Sequence, residues 1–345
     1  MGWARSALAA AAVMTAGFAW AQESPMPEEL AWKLLELGRV VDVPKTAALY
    51  APLQQQEPYP GVRIERDVKY GPAERHLLDV FKPETSSSVR PVLIYIHGGG
   101  FVAGNKRAPG SPFYDNVMLW AVKNGFVGVN ATYRLAPQYP WPAGPEDLGA
   151  VVKWVADKIA ERGGDPARIY LMGQSAGAVH VASYVSHPEF HKVKGGGLKG
   201  AIMVSGLYDL TASPAGDAEI AYFGSDPSRY AERSSLPGLL ATDIPLLITA
   251  AELDPPRFVE QFEMLKQASC KRPSGCARAF MLPQHSHMSE VYSINTADTP
   301  CGAAANTAVR GVSTSSFSTC ACDLKRTSGK ALTRWGNALL IGSPG

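Results

Sequence analysis

Runs of apolar residues without polar alternation limit this chain to few fold classes. Successive residues of a strand face opposite sides of a sheet, so a strand that is apolar throughout is buried on both sides, as in a parallel sheet. Two earlier segments, Val62–Val68 and His76–Phe81, predict an antiparallel pair joined by a turn at Gly71-Pro72. The apolar runs are Val92–Ile96, Val127–Ala131, Ile169–Met172, Ala201–Val204, Leu246–Ala250 and Arg278–Leu282.

Helical stretches separate these runs. Glu146–Ala160 places Val151, Val155 and Ile159 four residues apart, and Arg257–Gln267 places its apolar side chains on one face. Alternation of strands and helices requires crossover connections, which predicts an α/β fold with a doubly wound, mostly parallel sheet of about eight strands. Ligands of such sheets bind outside the carboxyl ends of the strands. We therefore expect the functional residues there.

The overall composition excludes several classes of protein. Of 345 residues, 46% are hydrophobic and 19% are charged, which is typical of a globular chain. The net charge of +2 argues against a dedicated nucleic-acid-binding protein, which needs a basic surface to displace counterions from phosphates. No internal stretch approaches the roughly 18 consecutive apolar residues of a membrane-spanning helix.

Residues 1–21 have the features of an export signal. Arg5 provides a positive charge, an apolar stretch follows, and Ala19-Trp20-Ala21 matches a cleavage site of small residues. An uncleaved membrane anchor is the alternative, but the apolar stretch is short for crossing a bilayer. We therefore expect an exported protein, periplasmic or secreted, with no membrane span after cleavage of the signal.

The sequence predicts three further segments. Residues 22–58 are expected to be helical and to form a small cap over the sheet. The catalytic domain is expected at 59–300, with further cap elements on its long connection at 206–243, because long connections usually carry local helices or function. Residues 301–345 are rich in Ala, Ser, Thr and Gly. Such a segment buries too little apolar surface to offset its ordering entropy, so we expect a poorly ordered tail.

Export makes the cysteines informative, because an oxidising compartment permits disulfides. Cys270 and Cys276 would close a small loop, so we predict a bridge between them. Cys301, Cys320 and Cys322 lie in the predicted tail, and one of the five cysteines must stay unpaired within the chain. Zinc binding by the tail cysteines is the alternative, but no histidine spacing supports it.

A nucleophile motif follows one of the predicted strands. The sequence Gly-Gln-Ser-Ala-Gly at 173–177 comes directly after Ile169–Met172 and before the helix-compatible segment 178–186. This context is what a G-x-S-x-G elbow requires, because the strand-to-helix turn exposes the serine hydroxyl above the sheet. The alternative is a turn of small residues that only packs the helix against the strand. We predict Ser175 as the nucleophile.

A glycine-rich loop follows another predicted strand. The sequence His-Gly-Gly-Gly-Phe at 97–101 comes directly after Val92–Ile96, and glycines allow backbone N–H groups to approach a substrate carbonyl. We predict that the N–H groups of Gly99, Gly100 and Ala176 form an oxyanion hole. A phosphate-binding loop is excluded because no Gly-Lys-Ser/Thr follows. His97 is expected to hold the loop rather than to take part in chemistry.

An acid and then a base are expected after such a nucleophile in chain order. Asp254 follows the predicted strand Leu246–Ala250, and we favour it over Glu252, which lies closer to the strand. His285 and His287 follow the last predicted strand, and we favour His287 as the base. A metal site at the two histidines is the alternative, but the sequence shows no third ligand.

Together these motifs resemble the α/β-hydrolase superfamily, and within it the hormone-sensitive-lipase-like and kynurenine-formamidase-like groups. The resemblance covers about residues 49–298 and includes Tyr-Arg-Leu-Ala-Pro at 133–137 and Ser-Gly-Leu-Tyr-Asp at 205–209. Lipase-like relatives usually have Asp where this chain has Gln174, and formamidase-like relatives often have Trp where it has Phe101. These departures leave the choice between esters and formamides open.

The motifs and the resemblance predict a carboxylesterase that hydrolyses small-molecule esters through a covalent acyl-enzyme and needs no metal or organic cofactor. Short acyl chains are expected because no long apolar lid is evident. An arylformamidase is the nearest alternative, and a catalytically silent hydrolase fold that only binds ligands is an alternative of another class. Relatives usually continue into a further helix where this resemblance stops, so an altered gene end is one hypothesis.

Overall fold

A computed structural model describes residues 26–85 and 88–298. The predicted export signal, the predicted tail, and Cys301, Cys320 and Cys322 lie outside these residues, so those predictions stay open. Among the residues described, no helix is both long and apolar enough to cross a membrane.

One sheet of eight strands runs through the described part of the chain. The strands are β1 (Val62–Lys69), β2 (Leu77–Pro83), β3 (Arg90–Ile96), β4 (Val127–Ala131), β5 (Gly164–Gln174), β6 (Gly200–Val204), β7 (Leu246–Leu253) and β8 (Arg278–Ser286). Their order is β1-β2-β4-β3-β5-β6-β7-β8. β2 is antiparallel to both β1 and β4, and all other neighbours are parallel. The predicted mostly parallel sheet with an antiparallel start is confirmed.

Helices cover both sides of the sheet. They are α1 (Glu28–Leu37), α2 (Val43–Tyr50), α3 (Asp115–Lys123), α4 (Ala143–Lys158), α5 (Ala176–Ser186), α6 (Asp217–Phe223), α7 (Tyr230–Arg233), α8 (Leu236–Ala241), α9 (Pro256–Ser269) and α10 (Ser289–Tyr292). α4 and α9 correspond to the two amphipathic stretches predicted from the sequence. α9 begins at Pro256, a position where the missing N–H of proline has no intrahelical acceptor to lose.

The core lies in two layers, one on each face of the sheet. Val92, Ile94 and Ile96 of β3 belong to the layer that includes α4 and α5, whereas Leu93 and Tyr95 belong to the layer that includes α1, α2 and α3. Successive residues of a strand lie on opposite faces. Because both faces are covered by helices, every position of such a strand is apolar, which explains the runs without alternation.

The strand order brings the carboxyl ends of β3 and β5 together. β4 pairs with one edge of β3 and β5 with the other, so the chain leaves β3 toward one side and continues from β5 toward the other. In open α/β sheets, ligands bind outside the carboxyl ends at the point where the connections diverge in this way. The residues that follow β3 and β5 lie at this point.

The described N-terminal segment carries α1 and α2 and packs against the last described part of the chain. Gln54 donates from its side-chain amide to the carbonyls of Tyr292 and Ile294, at 2.7 and 2.8 Å. The hydroxyl of Tyr50 donates to the carboxylate of Asp298 at 2.9 Å. These buried contacts fasten α2 and the turn after it to the segment that follows β8.

The connection between β6 and β7 carries the short helices α6, α7 and α8, which confirms the prediction of local helices there. Tyr222 of α6 stacks on Phe101 of the glycine-rich loop, with 4.8 Å between the ring centroids. A Cβ added at Gly100 would lie 3.5 Å from the Cβ of Ala218, also on α6. The first helix of the connection therefore lies against the glycine-rich loop.

A disulfide joins Cys270 and Cys276, whose Cα atoms are 3.9 Å apart. This is the pairing that the small loop between them predicts. Arg272, inside the loop, donates to the carbonyls of Thr242 and Ile244 at 2.8 and 2.9 Å. The bridge and this arginine together hold the turn between α9 and β8 against the residues that precede β7.

Candidate active site

The predicted catalytic residues all stand directly after strands of the parallel part of the sheet. Ser175 follows β5, Asp254 follows β7 and His287 follows β8. The glycine-rich loop begins at His97, directly after β3. Because β3, β5, β6, β7 and β8 run parallel, these four segments meet at one edge of the sheet.

Ser175 occupies a sharp turn between β5 and α5. Its backbone has φ 55° and ψ −124°, a region that residues other than glycine rarely adopt and that costs about 1–3 kcal/mol. Glycines on either side make the turn possible. A Cβ at Gly173 would collide with the carbonyl of Gly177, and a Cβ at Gly177 would collide with that of Ile96. The helix therefore starts directly above the strand end, and Ser175 stays partly exposed.

Asp254 and His287 form a buried hydrogen-bonded pair. Nδ1 of His287 lies 2.7 Å from Oδ1 of Asp254, and the two side chains are 1% and 0% exposed. The other carboxylate oxygen of Asp254 accepts from the N–H of Ala251 at 2.9 Å and from the hydroxyl of Ser205 at 2.5 Å. Three donors thus hold the carboxylate in one orientation, and the carboxylate in turn orients the imidazole.

The second ring nitrogen of His287 remains available for chemistry. Nε2 is buried and has no hydrogen-bond partner among the described residues. Phe258 of α9 packs beside the imidazole, with ring centroids 4.4 Å apart. With Nδ1 bonded to Asp254, Nε2 is the basic atom of the neutral ring, which is the arrangement that a general base requires.

The residue before Ser175 connects the elbow to this base. Gln174 is fully buried, and its side-chain amide donates to the backbone carbonyl of His287 at 2.9 Å. A Cβ at Gly98 would lie 2.6 Å from the side-chain oxygen of Gln174. Gln174 therefore lies between the turn that carries Ser175, the glycine-rich loop and the segment after β8 that carries His287. The sequence singles out this position only as a departure from the lipase-like motif.

The two alternative residues have contacts of their own. Glu252 is exposed and accepts from the N–H of Gln284 at 2.8 Å. His285 is buried, with Nδ1 3.0 Å from the hydroxyl of Ser289 and Nε2 3.3 Å from a carboxylate oxygen of Asp298. The structure thus pairs the favoured acid with the favoured histidine and leaves both alternatives outside that pair.

The glycine-rich loop has a conformation that requires glycine. Gly99 has φ 126° and Gly100 has φ 59°, and a Cβ at Gly99 would collide with the carbonyl of Ala103. The N–H of Ala103 donates to the carbonyl of Gly99 at 3.0 Å and closes the turn. Ala176 is the first residue of α5, so its N–H has no acceptor within the helix. The glycine-rich loop and the start of α5 therefore both present backbone N–H donors at the carboxyl ends of the strands.

His97 and His180 are buried and neutral behind the glycine-rich loop. Nδ1 of His97 lies 2.6 Å from the carbonyl of Gly98, and its ring stacks on Tyr133. The ring of His180 makes an edge contact with Phe101. Burial lowers the pKa of each imidazole to about 3, so neither carries charge near neutral pH. His97 supports the loop, as predicted.

The sequence alone does not single out a buried acidic residue beside the pair. Glu290 is fully buried, and its carboxyl group contacts the hydroxyls of Ser205 and Thr249. Burial raises the pKa of Glu290 well above its usual range, and the charge of Asp254 adds to the rise. The available sequence signal is its position three residues after His287, among apolar and small residues.

Asp254, His287 and Glu290 also have the spacing of a metal site, since one atom of each lies within 4.8 Å of the others. Each of these groups already has protein partners. The carboxyl oxygens contact the imidazole, the hydroxyls of Ser205 and Thr249, and a backbone N–H. We therefore interpret the cluster as a hydrogen-bond network and assign no metal to it.

Comparisons with known proteins find one family and several esterases that this chain is similar to. The BD-FAE family model matches residues 78–195. Carboxylesterase NlhH of Mycobacterium tuberculosis is 40% identical over 120 residues, which are 34% of this chain and 36% of that protein. Phenmedipham hydrolase of Pseudarthrobacter oxydans is 36% identical over 118 residues, which are 32% of this chain and 23% of that protein. The alignments thus span about a third or less of the length of these curated relatives.

Solved structures cover much more of the chain. A bacterial heroin esterase is 25% identical with a TM-score of 0.62, over 82% of this chain and 96% of that one. A hyperthermophilic esterase from the archaeon Pyrobaculum calidifontis is 23% identical with a TM-score of 0.60, over 83% and 99%. The chain has the α/β-hydrolase fold and is similar to members of the α/β-hydrolase superfamily. Within that superfamily it is similar to esterases of the hormone-sensitive-lipase-like type.

Proposed function

We propose that the protein is a carboxylesterase that hydrolyses short-chain carboxylic esters through Ser175, His287 and Asp254. The observation that carries the proposal is the buried hydrogen bond between Asp254 and His287, which leaves Nε2 of the imidazole without a partner among the described residues. Ser175 also stands at the edge of the sheet formed by the carboxyl ends of the parallel strands. The similarity to carboxylesterase NlhH and to a solved esterase supports the same reaction class.

The reaction begins when Ser175 attacks the ester carbonyl. Nε2 of His287 takes the hydroxyl proton as the new bond forms, and the carboxylate of Asp254 stabilises the resulting imidazolium. The imidazolium then gives this proton to the leaving alcohol, and the acyl group remains on the serine as an ester. A water molecule, deprotonated by the same imidazole, releases the carboxylic acid and restores the serine.

The carbonyl oxygen becomes negatively charged in each tetrahedral intermediate. The donors that we assign to it are the backbone N–H groups of Gly99, Gly100 and Ala176. Backbone donors that are in place before the reaction need no reorganisation, and loss of one such donor typically lowers kcat by about 10²–10³-fold. This requirement is consistent with the glycine-dependent conformation of the loop.

A preference for short acyl chains follows from the elements beside the site. The connection at 206–243 supplies helices of seven, four and six residues rather than a long apolar lid. We expect nitrophenyl esters with acyl chains beyond about eight carbons to be turned over more slowly than shorter ones.

Covalent labelling tests the nucleophile. A fluorescent organophosphonate reacts with an activated serine, so it is expected to label the wild-type protein and not Ser175→Ala. The variant should retain less than roughly a thousandth of the wild-type esterase activity. Ser228→Ala, which changes an exposed serine, is the control and should behave as the wild type. An unlabelled wild-type protein would instead indicate a catalytically silent hydrolase fold.

A substrate panel tests the reaction class. Nitrophenyl esters and other aryl acetate esters are compared with N-formylkynurenine by kcat/KM on the same enzyme preparation. Higher kcat/KM on the esters is expected. A higher value on the formamide would reject the esterase proposal in favour of an arylformamidase while keeping the same three residues.

A further inference from the structure

The hydroxyl of Ser205 stands between two buried carboxyl groups. Its Oγ lies 2.5 Å from Oδ2 of Asp254 and is in hydrogen-bond contact with Oε1 of Glu290. The other oxygen of Glu290 lies 3.1 Å from the hydroxyl of Thr249. All four residues are 0% exposed. The network continues through Asp254 to the imidazole of His287.

A count of the protons available for these hydrogen bonds indicates the protonation state of each carboxyl group. A serine hydroxyl has one proton and can donate to only one acceptor at a time. Asp254 already accepts from the N–H of Ala251 and from the imidazole, so the proton of Ser205 completes the donors around an ionised Asp254. The contact between Ser205 and Glu290 then needs a proton of its own, and only a protonated carboxyl group supplies it.

We infer that Glu290 is a positioning residue: as a neutral carboxylic acid it donates a hydrogen bond to Ser205, which donates to Asp254 and thereby holds the carboxylate that orients His287. The inference rests on the proposed esterase mechanism, in which His287 is the base. Glu290 itself lies behind the acid and acts on the reaction only through Ser205 and Asp254.

The surroundings of Glu290 favour the neutral acid. Burial raises its pKa well above the usual range, and the charge of Asp254 contributes in the same direction. The titratable groups near it are Asp254 after β7, His287 after β8 and Tyr208 on the connection between β6 and β7. In the described residues, no lysine or arginine forms an ion pair with Glu290. A second buried carboxylate on the same hydroxyl would be unfavourable.

Two variants of Glu290 separate a neutral acid from a carboxylate. In Glu290→Gln the side chain is neutral and isosteric and can still donate to Ser205. We therefore expect its kcat/KM to stay within about threefold of the wild type, with the same acid limb in the pH profile. Glu290→Leu donates nothing, so we expect kcat to fall by about tenfold or more with little change in KM, because a hydrogen bond in a charged network is lost.

A variant of Ser205 tests the connection. Ser205→Ala removes the link between Glu290 and Asp254 and should lower kcat by about as much as Glu290→Leu. The double variant should lose little more than either single one, since both changes break the same network. Additive losses would contradict action through Ser205.

Infrared difference spectra of wild type against Glu290→Gln at neutral pH read the protonation state without any substrate. A carboxylic-acid C=O band is expected in the wild type and in Ser175→Ala, and its absence is expected in Glu290→Gln. A carboxylate band instead, a shift of the acid limb to lower pH in Glu290→Gln, or full kcat in Glu290→Leu would overturn the inference. If Glu290→Leu does not fold, Glu290→Gln and the spectra decide. Absence of ester turnover in the wild type would refute the proposed function. The spectra need no substrate, so they test the protonation of Glu290 independently of that function.

Discussion

Gln174 donates its side-chain amide to the backbone carbonyl of His287 at 2.9 Å, across 113 residues of sequence. The strands that lead to these residues, β5 and β8, are not neighbours, because β6 and β7 lie between them. One buried hydrogen bond therefore ties the turn of Ser175 directly to the loop of the base. We expect that loss of this hydrogen bond would change the distance between the serine hydroxyl and Nε2 of the imidazole.

Removal of the amide should impair catalysis more than binding. We expect Gln174→Ala to lower kcat by about tenfold to a hundredfold with a smaller effect on KM, because a displacement of about 1 Å between catalytic groups can cost 10²-fold in rate. Steady-state kinetics with a short-chain nitrophenyl ester measures both constants. Gln267→Ala changes an exposed glutamine on α9 and is the control. An unchanged kcat in Gln174→Ala would show that the hydrogen bond does not position the site.

The acid can be tested without a change of shape. Asp254→Asn is expected to lower kcat by about 10⁴-fold, because an amide beside Nδ1 favours the wrong tautomer of His287. Glu252→Gln, at the exposed alternative acid, is the matched control and should stay close to the wild type. Both are compared by kcat at saturating ester. If the Glu252 variant proved the more damaging of the two, the assignment of the acid would be wrong.

The two glycines of the proposed oxyanion hole should tolerate a methyl group differently. In Gly99→Ala the new Cβ collides with the carbonyl of Ala103, so the loop must move and we expect kcat/KM to fall by at least about 10²-fold. At Gly100 the nearest contact is an ordinary 3.5 Å to Ala218, and the left-handed backbone costs alanine about 1–2 kcal/mol. We expect Gly100→Ala to retain more activity. The opposite order, measured by kcat/KM and by organophosphonate labelling rate, would contradict this geometry.

Buried neutral histidines make stability depend on pH. Burial lowers the pKa of His180 to about 3, whereas an unfolded histidine has a pKa of about 6.5. Between these values the unfolded chain binds a proton that the folded protein does not. The free energy of unfolding is therefore unaffected by this residue above about pH 6.5 and decreases as the pH falls below it.

A leucine at this position should remove that dependence. Neither ring nitrogen of His180 has a hydrogen-bond partner among the described residues, so His180→Leu breaks no side-chain hydrogen bond there. Urea unfolding at about pH 7.5 and about pH 5 gives the loss of stability on acidification. We expect this loss to be smaller in the variant than in the wild type by about 2 kcal/mol. An equal loss in both proteins would mean that His180 is protonated in the folded state at about pH 5.

The existence and order of the strands were predictable because each strand depends on a short stretch of sequence. Three strands extend further than predicted: β5, β7 and β8 end at Gln174, Leu253 and Ser286, and not at Met172, Ala250 and Leu282. The predicted strand Val127–Ala131 has the same bounds in the structure. All its residues are buried, and its one polar side chain, Asn130, donates to the carbonyl of Lys106. The turn at Ser175 was predictable for a similar reason, as its glycines, strand and helix are contiguous. Chain order then restricted the acid and the base to the residues after β7 and β8, and the choice of Asp254 and His287 agrees with the pair that the structure forms.

The network behind that pair was not predictable in the same way. Ser205 meets Glu290 across 85 residues, and Thr249 meets Glu290 across 41. Nothing local distinguishes these hydroxyls from the many others in the chain, and a glutamate three residues after the base is as compatible with an exposed turn as with a buried one. Hydrophobic periodicity and turn chemistry depend on residues close together in the chain, so they can be identified from the sequence alone. The protonation of Glu290 and the link from Gln174 to His287 depend on which strand ends the folded sheet brings together.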